Sequence, residues 1–250
     1  MSPTASLESL IISLLIDTYK EKDIATCDVP EAYLYAKLLP RVNNKRVFMK
    51  LTGNFVDIMH KINLEDTNNI TTENGKKILY LEILRALHSC IEFPLRWYKL
   101  YSETLSKEGL IINQYNKCVA NKIINRKQCI ILWYADDNKI SRKDPKVVTK
   151  VINIIKRHFG ELTVTRRKVH RFLGMNITII EDKMLKIDMK EHLQEAIDMF
   201  EKIEDREINE IVTSLARSKF RDVNENCVKL SEDKREDFHS IVAKLLILAY

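Results

Sequence analysis

The sequence predicts an α+β fold in which helices back an antiparallel sheet and a helical portion follows. Stretches with helical spacing alternate with short β-type runs, and few Gly or Pro residues interrupt them. Short turn signals join neighbouring β runs, which is typical of antiparallel hairpins. The predicted elements towards the end of the chain are helices. With 250 residues, the chain can bury one good core and a small appended subdomain.

The first half of the chain begins with a helix and continues with strands. Apolar residues at helical spacing, including Leu7, Leu10 and Leu14, predict a helix over residues 6–20. A strand is predicted next, ending at Asp28. Further strands are predicted over residues 46–50 and 77–81, with an exposed polar excursion over 64–77 between them.

The second half repeats the alternation. Pro94 and Gly109 bracket a predicted helix over residues 94–107, because Pro is favoured in the first turn and Gly just past the end. Two strands then flank a hairpin turn at residues 125–128. The remaining predicted elements are a helix over 145–158 ended by Gly160, a strand at Phe172, a turn at Glu181 and Asp182, and helices over 190–202 and 233–250.

Composition and charge limit the class of protein. Lys and Arg number 41 against 35 acidic residues, and the resulting charge of +6 is compatible with a phosphate-bearing partner. Basic residues cluster at 142–143 and 166–171, where solvated loops are the alternative interpretation. Five cysteines lack the spacing of a zinc site and predict free thiols. The apolar start is too short for a membrane span, so we expect a soluble intracellular protein without a membrane partner.

Acidic residues end two of the predicted strands. Asp136 and Asp137 follow the apolar β-type run 129–134, and residues 138–141 resume an extended pattern, so both acids fall in or beside a hairpin turn. Asp28 interrupts another apolar run just before Pro30. Taken singly, each acid also fits an ordinary turn or cap. Together they suggest a site shared by adjacent strands.

Such a site suits hard divalent cations. Mg²⁺ takes oxygen ligands, typically one or two carboxylates together with substrate phosphates. Two ions about 4 Å apart can stabilise both the attacking and the leaving oxygen of a phosphoryl transfer. The two acidic strand ends therefore predict a site for two-metal phosphoryl transfer.

Two short motifs resemble a known family at this point. Asp28-Val29-Pro30-Glu31-Ala32-Tyr33-Leu34 resembles motif A, and Tyr134-Ala135-Asp136-Asp137 resembles motif C, of the reverse transcriptases of copia-type retrotransposons. The order and rough spacing of further segments agree over nearly the whole chain. These segments are 84–98 (motif B), 117–122 (the strand before motif C), 172–175 (the primer-grip turn) and 238–246 (the segment after palm and thumb).

The resemblance implies roles for individual residues. Asp28 and Asp136 would bind two Mg²⁺ ions, or Mn²⁺ in their place, with Asp137 supporting them, and these three acids would be catalytic. Tyr33 would lie under the incoming sugar and reject a 2′-hydroxyl; core packing is the alternative for this ring. The nucleotide-binding set would be Val29, Tyr33, His88, Ser89 and Ala135. The primer grip would be Phe172, Leu173, Gly174 and Met175, for which a plain β-turn is the alternative.

The resemblance also implies a domain organisation. Residues 1–180 would form a polymerase palm with the fingers largely missing, and residues 181–250 a thumb-like helical segment truncated before a ribonuclease H domain. Glu31 and Ser89 depart from the family, which usually has Gly at the place of Ser89 and often a small residue at the place of Glu31.

The expected activity is RNA-directed DNA polymerisation on an RNA or DNA template with a primer, using deoxynucleoside triphosphates. The expected location is the cytoplasm, virus-like particles or the nucleus. An inactive relic that still binds nucleic acid is one alternative, and a two-metal nuclease is another.

Overall fold

A computed structural model describes residues 2–37, 46–62, 70–85, 93–205 and 228–248. The chain divides into two compact units, Met1–Arg166 and Arg167–Tyr250. The division falls ahead of residue 180, the boundary expected from the sequence, so the hairpin that contains Phe172 belongs to the second unit. Both units combine helices with antiparallel sheets, and the predicted α+β class is confirmed.

The first unit is built around a six-stranded antiparallel sheet. Its helices are α1 (Leu7–Tyr19), α2 (Ala32–Tyr35), α3 (Asn54–Ile62), α4 (Phe93–Lys107) and α5 (Pro145–Phe159). Its strands are β1 (Asp23–Asp28), β2 (Phe48–Thr52), β3 (Ile70–Glu73), β4 (Lys76–Glu82), β5 (Ile111–Ile112), β6 (Val119–Ile124), β7 (Lys127–Tyr134), β8 (Asp137–Arg142) and β9 (Thr163–Thr165). The strand order of the main sheet is β5-β6-β7-β8-β1-β9, and β2-β4-β3 form a second, smaller sheet.

Two helices supply aromatic side chains to the core of this unit. Apolar residues on α4 recur every four positions and are buried, among them Trp97 and Tyr101. The ring of Phe159, at the end of α5, lies 5.0 Å from that of Trp97 and 5.5 Å from that of Tyr101. Trp133 on β7 completes the group, 5.4 Å from Tyr101. Such ring pairs contribute about 0.5 to 1.5 kcal/mol each beyond their buried area, so this cluster fixes α4 against β7.

A buried ionic group joins α1 to β8. Lys139 and Asp17 form a salt bridge with both side chains fully buried. Lys22 approaches the same carboxylate at 2.8 Å, and Lys139 donates to the hydroxyl of Ser13 at 2.6 Å. Burial lowers the pKa of Lys139, and the charge of Asp17 opposes that effect. Each buried charge therefore has a partner, as a low-dielectric interior requires.

Within its described residues, the second unit contains a three-stranded antiparallel sheet and two long helices. Its strands are β10 (Val169–Phe172), β11 (Met175–Ile179) and β12 (Leu185–Asp188), in the order β10-β11-β12, and its helices are α6 (Lys190–Glu204) and α7 (Glu232–Leu248). The predicted helices over 190–202 and 233–250 are therefore confirmed within two residues over their described parts. An ion pair of 2.7 Å between Glu195 and Lys244 links α6 to α7.

The structure adds a strand that was not predicted and shortens one predicted turn. The polar stretch 64–77 was predicted to be exposed, and its described residues 71–77 are exposed, but residues 70–73 form strand β3, which pairs with β4. The hairpin turn at 125–128 is shorter than predicted: Asn125 and Arg126 alone form it, both with positive φ. On α1, Leu10 and Leu14 are buried as their helical spacing predicts, and so are Ser13 and Asp17, which bind Lys139.

Candidate active site at the ends of strands β1 and β8

Strand pairing brings the three acids of the predicted site to one end of the main sheet. β1 and β8 are antiparallel neighbours, and their register sets Asp28 directly opposite Asp137. Just beyond that pair, the backbone N–H of Val29 donates to the carbonyl oxygen of Asp136 at 3.2 Å. Residues more than a hundred positions apart in the chain thus become neighbours through the backbone alone.

The turn that carries two of these acids is a two-residue hairpin loop. Tyr134 pairs with Asp137, which leaves Ala135 and Asp136 as the central residues. Ala135 has φ +52°, while Asp136 keeps a negative φ. A positive φ at the first central position alone is the type II′ pattern, which normally takes Gly there. The Cβ of Ala135 therefore stores strain at the candidate site.

Side chains from α4 and β8 brace this turn. The indole nitrogen of Trp97 donates to the carbonyl oxygen of Ala135 at 2.7 Å. The side-chain amide of Asn138 donates to the carbonyl oxygen of Asp136 at 2.8 Å. The hydroxyl of Tyr101, fully buried, in turn donates to the Asn138 Oδ1 at 2.5 Å. These bonds from buried groups satisfy the turn carbonyls and hold the strained conformation in place.

Burial and neighbouring negative charge raise the pKa of Asp28 and of Asp137. Burial, followed by the charges of Asp136 and Asp28, raises the pKa of Asp137 from 3.8 to about 6. Burial and then the charge of Asp136 raise the pKa of Asp28. The buried thiol of Cys27 responds as well: burial, then Asp28 and Asp137, raises its pKa to about 12. The site therefore concentrates negative charge in a partly desolvated place.

The donor set fits a hard cation. Within the described part of the chain, no Lys or Arg forms a salt bridge with Asp28, Asp136 or Asp137. Uncompensated carboxylates at neighbouring strand ends are the ligands that Mg²⁺ prefers. In the same described ranges, no group of three or more His, Cys, Asp or Glu side chains is arranged to hold a metal ion, and this includes the group Asp28, Asp136 and Asp137. A Mg²⁺ ion bound by one or two of these carboxylates would need water or substrate phosphates as its other ligands.

Tyr33 lies on helix α2, close enough to Asp136 for the charge of that acid to act on its hydroxyl. It is the second residue of α2, half-buried, and its ring packs against a small core formed by Ala36 and Phe93. Burial, then the negative charge of Asp136 and the neighbouring Tyr134, raises the pKa of its hydroxyl. Tyr33 therefore packs against a core, as one alternative expects, and also lies near an acid, as the sugar-contact alternative expects.

A cavity of about 200 Å³ adjoins this tyrosine. Its walls include Tyr33, Trp97, Tyr134 and Ala135, together with Pro3 from the start of the chain. Tyr33 and two residues of the turn, Tyr134 and Ala135, thus line one partly open space.

The other residues predicted to bind nucleotide differ in position and exposure, and two of them are not described. Val29 is fully buried, and its backbone N–H is already bonded to the carbonyl oxygen of Asp136, so it is not exposed to a nucleotide. Ala135 lies in the turn described above. His88 and Ser89 lie outside the described residues. Glu31, which departs from the family, is exposed with φ +53° and directly precedes α2.

The predicted primer-grip residues form the turn between β10 and β11 in the second unit. Leu173 and Gly174 are its central residues, with φ of +52° and +73°. Phe172 and Met175 are buried, Leu173 is half-buried and Gly174 is exposed. A Cβ at Gly174 would approach the His192 Nδ1 to 3.1 Å, which is tighter than an ordinary contact. Glycine thus meets both the backbone and the space requirement at this position.

Sequence reasoning missed the residues that brace the acidic turn. Trp97 and Tyr101 are four positions apart on one predicted helix, which indicates a common face but not the turn that this face contacts. Asn138 directly follows the two acids in the sequence, but no sequence pattern indicates that it is buried.

Comparison with known proteins gives no family. No protein-family model matches the sequence, and no match is found among curated proteins. Among the residues that the structure describes, no helix is both long and apolar enough to cross a bilayer.

Proposed function

We propose that this chain is the palm-and-thumb portion of an RNA-directed DNA polymerase of the copia retrotransposon type. The observation that carries the proposal is the register of β1 and β8, which sets Asp28 opposite Asp137 next to a braced turn that holds Asp136. Neighbouring strand ends are rigid supports, and phosphoryl transfer depends mainly on positioning and charge stabilisation. The resemblance of two motifs to those of reverse transcriptases is the reason for proposing a polymerase rather than another two-metal enzyme.

The carboxylates have two tasks in this proposal. Asp28 and Asp136 would hold Mg²⁺, and Asp137 would add to the negative field that attracts it. When bound, the metal ions neutralise charge on the transferring phosphoryl group and lower the pKa of the attacking hydroxyl. The acids lack a cationic partner among the described residues, so they keep their charge available for the ion. Trp97 and Asn138 would maintain the turn geometry throughout the reaction.

Tyr33 and the cavity beside it would select the sugar. The tyrosine ring forms one wall of the space next to the acidic turn. A 2′-hydroxyl entering this space would collide with the ring, which discriminates by an added clash rather than by a lost contact. The partners of the reaction would be an RNA or DNA template, a primer and deoxynucleoside triphosphates.

Primer extension on an RNA template with Mg²⁺ tests the proposal. We expect template-dependent incorporation of deoxynucleotides that Asp28→Asn and Asp136→Asn each reduce by at least about 100-fold, since both remove a metal ligand. Asp57→Asn, at an exposed position on α3, is the matched control and should retain activity.

The alternatives give different results in the same assay. Degradation of the template or primer that depends on Asp28 would indicate a nuclease. A shift of the primer-template without extension would indicate a binding protein. Extension should be repeated with a family fingers segment fused upstream, because basic strands of that segment grip the triphosphate in the family that the chain resembles. Absence of extension in both forms would refute the polymerase assignment.

A further inference from the structure

A second charged feature lies at the opposite end of the main sheet from the acids. A cavity of about 440 Å³ has five cationic residues in its walls: Lys20, Lys22, Arg126, Lys127 and Lys143. The register of β1 and β8 gives its position, since Asp23 pairs with Arg142 at this end and Asp28 with Asp137 at the other. At about 3.3 Å per residue, the two ends of β1 are about 17 Å apart.

Three separate segments converge on this cavity. Lys20 and Lys22 follow the end of α1, and Lys143 follows β8. Arg126 lies in the two-residue turn between β6 and β7, and Lys127 begins β7. Arg126 adopts φ +60°, a conformation that Gly or Asn adopts at lower cost. The turn therefore keeps a strained, cationic residue at the rim of the cavity.

The acids nearest to this cavity already have partners. Asp17 is bound by Lys139 and Lys22, and Asp23 by Arg166. Asp144 accepts from the backbone N–H of Lys146 and caps α5. Glu21 lies in the turn after α1 and is exposed, and it is not one of the lining residues.

Four of the cations are left without an internal counter-charge. Lys20, Arg126, Lys127 and Lys143 are exposed, and none forms an ion pair with any residue in the described ranges. Like charges gathered around one space repel one another, and an external anion would relieve that repulsion. Ile123, which is 68% exposed, adds an apolar surface to the same wall.

We propose that this cavity binds the sugar-phosphate backbone of a nucleic acid strand, away from the acidic site. Several flexible cations spread over one cavity suit a row of phosphates, which such side chains contact without reading sequence. The exposed side chain of Ile123 offers an apolar contact for a sugar ring. Inorganic phosphate has no sugar ring and would not make this contact. The inference deepens the proposed function by naming a second place that holds the strand, but it concerns binding alone and stands independently of catalysis.

Fluorescence anisotropy with labelled single-stranded DNA and RNA tests this inference on the full chain. The background carries Asp28→Asn and Asp136→Asn, so that catalysis plays no part. The cavity variant combines Lys20→Gln, Arg126→Gln, Lys127→Gln and Lys143→Gln. The control variant removes four charges from exposed lysines elsewhere in the first unit: Lys76→Gln, Lys99→Gln, Lys107→Gln and Lys150→Gln. A thermal melt of each variant verifies that it is folded.

The expected result is a loss of affinity of at least about 10-fold in the cavity variant and less than about 3-fold in the control variant. Removing four phosphate contacts should also reduce the slope of log K against log salt concentration by about 3 for a single strand. Equal losses in the two variants, or no loss in the cavity variant, would refute the site. Tripolyphosphate that binds as tightly as the strand and competes fully with it would refute a strand as the ligand.

Both proposals can fail separately. If the cavity variant alone loses affinity while the unmutated chain extends no primer, the strand-binding site stands and the polymerase assignment falls. If primers are extended but the two charge variants bind alike, the polymerase assignment stands and this site falls.

Discussion

Replacing Asp137 by Asn should make the folded protein more stable at neutral pH. Asp137 is half-buried beside two further carboxylates, and its pKa is raised from 3.8 to about 6. At about 1.36 kcal/mol per pKa unit, that difference corresponds to about 3 kcal/mol. Because water still reaches this side chain and screens its charge, we expect about half of that value, about 1.5 kcal/mol. Asn keeps the shape of the side chain and removes the charge.

The effect should depend on pH in a defined direction. A folded-state pKa above the unfolded value means that the folded protein holds the proton more tightly. Protonation of Asp137 therefore favours folding fully below about pH 4, and this contribution is lost as the pH rises through about 6. The difference in unfolding free energy between variant and wild type should be largest above pH 6 and should vanish near pH 4.

Urea denaturation in EDTA, at several values between pH 4 and pH 7.5, measures this difference without bound metal. At neutral pH the melting temperature should also rise by about 3 to 6 °C, given about 2 to 4 °C per kcal/mol for a protein of this size. Asp57→Asn, which removes an exposed charge, should shift stability by no more than about 0.5 kcal/mol and show no such trend. An Asp137→Asn variant that is no more stable at pH 7.5, or whose advantage persists at pH 4, would refute the reasoning.

Three other substitutions test the turn, the buried ions and the sugar gate. Ala135→Gly should stabilise the fold by about 0.5 to 1 kcal/mol in urea denaturation, because relief of the positive-φ strain exceeds the added unfolded-state entropy; a loss of stability would show that the turn is unstrained. Asp17→Asn should lower the free energy of unfolding by about 3 to 5 kcal/mol, because it leaves Lys139 buried without its counter-charge. The apolar double variant Asp17→Leu with Lys139→Met should lower it much less. Equal losses in the two variants would count against the ion pair. Tyr33→Ala should raise ribonucleotide incorporation in the primer-extension assay and leave deoxynucleotide use comparatively intact, whereas a lowered melting temperature with unchanged sugar discrimination would assign Tyr33 to packing alone.

The position of the acids could be predicted from the sequence because it depends on local patterns. The apolar run 129–134 and the two acids after it specify a strand and a hairpin turn, and the antiparallel arrangement follows from the short loop. The pairing of β1 with β8 was expected only as a juxtaposition of two acidic strand ends. Its register depends on long-range packing that no short pattern contains.

The buried ionic group and the basic cavity could not be predicted in the same way. Asp17 and Lys139 are ordinary charged residues in the sequence, and their burial depends on which face of α1 meets β8. Arg142 belongs to a basic cluster that the sequence suggested as a solvated loop, yet it is buried and donates to the backbone carbonyls of Ile124 and Lys127. Its neighbour Lys143 lines the basic cavity. The two residues of this basic cluster therefore differ, since Arg142 is buried and Lys143 is exposed.

The interior position of β1 and β8 has a consequence for motion. Each of these strands has a partner on both sides. Strand β8 lies between β7 and β1, and strand β1 lies between β8 and β9. Their amide protons can exchange with solvent only when a neighbouring strand detaches, and in a cooperative sheet that opening approaches global unfolding. Hydrogen exchange at Cys27 and Lys139 should therefore be among the slowest in the first unit. The carboxylates are then attached to the part of the backbone that fluctuates least, and their spacing persists between one encounter with a ligand and the next.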